Sequence, residues 1–481
     1  MKRIIRKGLM LGMSAVLAVA LVSCGDDDED DNVVIDNAAQ PVGAVYVMTN
    51  GDGQVDGNEQ GANRIVTYSR FADGTLVPLN VTETDGNGGD FDDTEGLDPL
   101  ISAYAITKTQ DNAFILAVNA GSNTISALPI DSTDFSLGTP EIQSTNAIGP
   151  NSIDVWPAPA EMDGINSLVL VTNITRPEFL EGGEPFHRGT VQSFWLTDEG
   201  TFVPTGSSID LNNRPSCVHI SDDGQFAIVT SINAGAAGLD PDADISAGDP
   251  NLTAGQRNPG NQEEIVLFSI SGGALTRIAG TTSTLRGNAE ERNLPSAIGA
   301  QIVRGTDNNL YAVVTEAREF DFDGNTPRFP ELESGSVSTW RISAAGLEDV
   351  DLDVPAGENG SGRTACWLDF NDDNSLFYVS NALEASIATY NFDNGNISIA
   401  NAVSAQGTGV GNIAIDDTPG PFAVTEGWID LWVADGFLYQ LHGLEGVVSV
   451  WNTNNSSNLS LVQEVNSGFI PSTNSQGIVA F

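Results

Sequence analysis

The sequence predicts an all-β fold, a seven-bladed β-propeller with four antiparallel strands per blade, and three observations predict it. One strand–gap–strand pattern recurs seven times from residue 44 onward. Helical periodicity is essentially absent after residue 24. The chain also ends in a strand-like run, the very element that the first repeat lacks.

The first run of each repeat is short and β-rich: AVYVMTN (44–50), FILAVNA (114–120), LVLVTNI (168–174), FAIVTSI (226–232), LYAVVTE (310–316), LFYVSNA (376–382) and FLYQLHG (437–443). The second runs follow at 64–70, 124–130, 190–196, 264–270, 336–342, 386–392 and 447–453, with the Val, Ile, Tyr, Phe and Trp content and the alternation of half-buried strands. Aligned at Asn50, Asn119, Asn173, Ser231, Glu316, Asn381 and His442, the repeats are spaced by 69, 54, 58, 85, 65 and 61 residues. Such periods, with several short strands in each, describe propeller blades. No Gly-His…Trp-Asp signature is present, so the repeats are not of the WD40 type.

A third element precedes six of the runs, at 101–107, 151–157, 216–222, 296–302, 365–371 and 427–433, and reads as the innermost strand. Blade 1 has none before Ala44. The terminal Gln476-Gly-Ile-Val-Ala-Phe481 is therefore expected to supply it, closing the ring and removing the open sheet edges.

The N-terminus is an address rather than a fold. Met1–Lys7 is basic, and Leu9–Val22 is apolar but too short to span a bilayer comfortably. The sequence Leu21-Val22-Ser23-Cys24 resembles a bacterial lipobox, which implies lipidation of Cys24 and an anchor without a transmembrane helix. The expected organisation is a signal peptide at 1–23, an acidic tether at 24–42 and the propeller at 43–481. The expected location is the bacterial cell envelope, lipid-anchored at the outer membrane and facing either the periplasm or the surface.

Net charge is −46, from 65 acids and 19 bases. Beyond the signal, 15 bases face the same 65 acids, and Lys108 is the only lysine. Such a chain repels nucleic acid and anionic lipid, so the lipid anchor is the expected membrane contact. Cys217 and Cys366 fall in non-adjacent repeats and read as small buried apolar residues rather than a disulfide. A monomer is expected.

The run VNAGSNTISAL (118–128), the Asp73-Gly-Thr-Leu76 turn and Thr364-Ala-Cys-Trp-Leu-Asp-Phe370 resemble the seven-bladed lactonase-like propellers, a family that includes 6-phosphogluconolactonase and carboxymuconate-cyclising relatives. The resemblance covers about residues 43–481. It implies hydrolysis or cyclisation of a small carboxylated lactone by His, Glu and Arg side chains, with no required cofactor.

Insertions at 51–63, 174–189, 233–262 and 317–334 all fall between the first and second runs, so they decorate one face. On that face the candidate catalytic residues are Glu316, His442, Arg214 and Arg363, with Arg176 and Arg318 as ligand-binding residues. Asp240, Asp242, Asp244, Asp321, Asp323 and Asn325 present alternating oxygens of the kind calcium takes. None of these runs completes an EF-hand. The sequence thus supports two expectations: a lactonase-like hydrolase or cycloisomerase, and a non-catalytic surface propeller binding a protein, glycan or calcium through its inserted acidic loops.

Overall fold

A computed structural model describes residues 40–51, 59–91, 98–175, 189–211, 213–232, 265–278, 296–317, 321–323, 326–328, 335–357, 362, 364–407, 426–454 and 456–481. The compact unit runs from Pro41 to Phe481. It is a seven-bladed propeller of four-stranded antiparallel blades, with a small extra hairpin of Asp321–Asp323 and Thr326–Arg328. From the axis outward, blade 4 consists of Arg214–Ile220, Phe226–Ile232, Ile265–Ser271 and Ala274–Arg277, and the other blades follow the same order.

The second strands form the core. Phe114–Asn119 in blade 2 and Phe437–His442 in blade 7 are buried at every position, because each is sandwiched between neighbouring blades on both faces. Cys217 and Cys366 are both buried and form no disulfide among the described residues.

The last strand, Ile478–Ala480, lies antiparallel to the first, Gly43–Met48, and becomes the innermost strand of blade 1. Amide bonds from Ala44 to the Phe481 carbonyl and from Phe481 back to Ala44 extend the ladder. Arg70 secures it from outside: its Nε donates to the Phe481 carbonyl at 2.8 Å, and its Nη2 pairs with Asp435 of blade 7 at 2.5 Å.

A belt of hydrogen bonds crosses all seven blade junctions. Ser102 Oγ donates to the Asn151 carbonyl (2.7 Å), Asn151 Nδ2 to Pro215 (2.7 Å), Ser216 Oγ to Ala297 (2.7 Å) and Thr315 Oγ1 to Cys366 (2.5 Å). Ser380 Oγ donates to Trp428 (2.8 Å), Gly477 N–H to Asp430 Oδ2 (2.7 Å) and Gln476 Nε2 to Ser102 (2.7 Å). Innermost strands carry register shifts at 150/152, 215/217, 297/300, 365/367 and 429/431. Such bulges turn carbonyls out of their own ladder, and those of Asn151, Pro215, Ala297 and Cys366 are acceptors of the belt.

Blade 2 departs from expectation. The alternating run 101–107 reads as a strand, yet only Ile106–Lys108 is one. Leu100–Ala105 instead enters the axis, with positive φ at Ile101 (43°) and Tyr104 (59°). Its backbone groups are satisfied by other blades rather than by a ladder. Ala103 N–H donates to Ser216 of blade 4, and the Tyr104 carbonyl accepts from Ile153 of blade 3. The Ser102 carbonyl accepts from Trp367 of blade 6 and Gln476 of blade 1. The sequence pattern cannot distinguish such a segment from an inner strand, because every residue from Leu100 to Ala105 is buried whatever its backbone does.

Candidate active site in the axial channel

The residues that end the second strands form a repeated position. Asn50, Asn119, Asn173, Ser231, Glu316, Asn381 and His442 are all at most 2% exposed. Where the third strand opens with a hydroxyl, the two pair: Asn119 with Thr124 (3.2 Å), Asn173 with Thr190 (3.2 Å), Asn381 with Ser386 (3.3 Å) and Ser336 with Glu316. Glu316 is thus the blade 5 form of a turn lock. His442 occupies the same position in blade 7, where burial pushes its pKa down to about 3 and keeps it neutral. Arg214 is fully buried in blade 4 and donates to the carbonyls of Phe91 (3.2 Å) and Leu100 (3.0 Å), which clamps the axial segment. These three predicted residues belong to three blades, and each has neighbours of its own. Arg363, Arg176, Arg318, Asp240, Asp242, Asp244, Asn325 and Cys24 lie outside the described residues. Asp321 and Asp323 lie in the two-stranded hairpin, where Asp321 faces Arg328 and Asp323 faces Thr326 in the backbone register.

A second repeated position lies on the innermost strands. Counting three residues back from each turn lock and crossing to the innermost strand reaches Ile478, Thr107, Asp154, His219, Gln301, Asp369 and Trp432 in blades 1 to 7. Five of these, from Asp154 to Asp369 and Trp432, keep partial exposure although they lie on the most interior strands. They form one layer of the channel. Each polar member reaches towards the next blade. Asp154 Oδ2 accepts from Ile220 N–H at 2.7 Å, His219 Nδ1 from Ile302 N–H at 3.2 Å, and Asp369 Oδ2 from Val433 N–H at 2.6 Å.

Tyr104 crosses the channel at this layer. Its hydroxyl donates to the Leu368 carbonyl of blade 6 at 2.6 Å and accepts from Gln301 Nε2 at 3.2 Å, and its ring meets His219 edge-on at 6.5 Å. At the face opposite the insertions lies a cavity of about 240 Å³, the size for a small metabolite, lined by Asp154, Trp156, Trp432, Thr107 and Lys108 among others. Gly224 stands against Trp156 where a Cβ would collide with the indole at 2.2 Å. The lysine is held at the mouth by Asn112 (2.8 Å) and lies 5.6 Å from the Phe481 ring centre.

The electrostatics are those of a desolvated site. Burial raises the Asp154 pKa, opposed by the nearby His219. Burial lowers that of His219, opposed by Asp154, so the imidazole stays neutral. Because Nδ1 accepts a backbone hydrogen bond, the ring proton of the neutral imidazole sits on Nε2. Burial also brings Asp369 up to about 6, although Val433 N–H, Gln301 and Phe370 N–H hold its carboxylate. The layer therefore offers a neutral N–H donor, a carboxylate ready to take a proton, aromatic walls and one cation.

His219, Asp154, Gln301, Asp369, Trp432, Tyr104 and Lys108 are absent from the sequence-based site. The signal that identifies the first five is the constant register offset from the turn locks, which becomes usable once the bulges are known.

No family model matches the chain, and no curated protein matches its sequence. Solved structures do resemble it. Two are described as "putative 6-phosphogluconolactonase". The one from Bacteroides uniformis is 15% identical with a TM-score of 0.55, over 91% of this chain and 99% of the other. The one from Bacteroides fragilis is 14% identical with a TM-score of 0.50, over 91% and 98%. A hypothetical selenium-binding protein from Sulfolobus tokodaii is 12% identical with a TM-score of 0.54, over 92% and 94%. At such identities the likeness is one of fold alone.

Proposed function

We propose that the protein is a lactone hydrolase working in the axial channel, at the mouth opposite the insertions. The observation that carries this reading is the adjacency of neutral His219 to Asp154, which lines a small cavity. The carbonyl oxygen of a bound lactone accepts the Nε2–H, which stabilises the oxyanion as charge develops. Asp154 takes a proton from water as the water oxygen attacks the carbonyl carbon. The carbon–oxygen ring bond then breaks, the proton passes to the leaving alkoxide, and a hydroxy acid results. Lys108 at the mouth suits a substrate bearing an anionic group. The lactonase descriptions of two structural neighbours support the same reading.

The test is a panel of sugar and aliphatic lactones followed by proton release. The wild-type protein opens at least one. His219→Gln lowers kcat/KM by about 10²–10³-fold, the usual cost of an oxyanion donor, and Asp154→Asn by about 10²–10⁴-fold. A wild-type chain inert on the whole panel overturns the proposal. We also place the enzyme at the outer membrane through lipidated Cys24, so Cys24→Ala moves it from the membrane to the soluble fraction.

A further inference from the structure

Blade 7 breaks the turn-lock rule. In blades 2, 3, 5 and 6 the residue at this position near the end of the second strand bonds a hydroxyl on the first residue of the third. The residue facing His442 is Val447, which offers none. The turnward nitrogen of His442 meets carboxylates instead. Its Nδ1 lies 3.4 Å from Glu445 Oε2, and one ligand atom each from Glu426, His442 and Glu445 falls within 4.8 Å of the others.

We propose that Glu426, His442 and Glu445 bind a borderline divalent cation, with Zn²⁺ the best match. One imidazole nitrogen and two carboxylate oxygens form a ligand set for zinc, leaving a fourth position to water. Calcium prefers more ligands, all of them oxygen. The supporting groups suit a metal as well. His442 Nε2 is 3.0 Å from Ser449 Oγ, which accepts Trp451 Nε1–H at 2.9 Å. Donating Nε2–H to that oxygen leaves the Nδ1 lone pair aimed at the cation, the usual arrangement of a metal-bound histidine. Trp428 Nε1–H fixes Glu426 Oε2 at 2.9 Å, and its indole stacks on the His442 ring at 5.0 Å. Two ligands are thus rigid and buried, while the half-exposed Glu445 stands where an ion would enter.

This site lies at the insertion face and does not depend on the lactonase reading. Its test uses the full chain, stripped with a chelator and titrated with Co²⁺ and then Zn²⁺. One equivalent of Co²⁺ should give the visible ligand-field bands of nitrogen–oxygen coordination, and Zn²⁺ should abolish them. Glu445→Gln, at an exposed turn, should keep the fold by circular dichroism and weaken binding at least about tenfold, and His442→Gln should lose the bands. The acidic tether and loops attract divalent ions too, so stoichiometry alone decides nothing. Absence of the bands in the wild-type chain overturns the proposal, as does their survival with unchanged affinity in both variants.

Discussion

Asp369 shows how a single side chain reports on the channel. Its carboxylate accepts from Gln301, Phe370 N–H and Val433 N–H, yet burial outweighs these bonds and brings its pKa to about 6. An unfolded aspartate titrates near 3.9. The folded chain therefore holds this proton more tightly. The stability it contributes is complete below about pH 4 and is lost as the pH rises through about 6. Asp369→Asn should accordingly flatten the fall in melting temperature between pH 4 and 7. An unchanged slope would show that other groups set it. At this scale the sequence is least legible. Glu316 and His442 attract notice as charged or titratable residues at strand ends, yet the same alignment column carries Asn in four blades and Ser in a fifth. A column of small polar residues describes a turn lock, a duty that Glu316 inherits and His442 does not. His219 and Asp154 are hidden for a different reason: the bulge before each shifts the alternation by one residue.

At the scale of elements, ring closure can be read from the first and last repeats, because a missing innermost strand and a spare terminal one have a single solution. Close approach of the two termini makes this joint sensitive. A Cβ on Gly43 would fall 1.9 Å from the Phe481 carbonyl oxygen, a backbone atom that cannot move without breaking the ladder. Gly43→Val should cost about 3 kcal/mol, at the upper end of ordinary single substitutions, in denaturant unfolding. A cost below about 0.5 kcal/mol would mean that the terminal strand contributes little. The axial segment was not legible as such. Ser102 and Tyr104 are fixed by hydrogen-bond partners in blades 1, 3, 5 and 6, and contacts that remote leave no local trace in the sequence.

For the whole molecule, the excess of acid is the dominant property. With 65 acids against 19 bases and a pI near 4.1, the surface repels itself at neutral pH. Added salt screens that repulsion within about 8–10 Å at physiological ionic strength. The melting temperature should rise with moderate NaCl, and a fall would show that attractive surface pairs dominate. Arg304 is the counterexample to watch. It pairs with Asp222 at 2.5 Å and Asp223 at 2.9 Å, and its partly exposed ion pairs weaken under the same screening.

Among the described residues, Tyr104 and its neighbours span the channel and are pinned to blades 1, 3, 4, 5 and 6. The cavity beside Lys108 lies at the mouth opposite the insertions. A reacted molecule held in that cavity stands in the way of the next arrival. On the proposed lactonase reading, turnover is then paced by emptying as much as by chemistry, and accumulated hydroxy acid competes directly with fresh lactone.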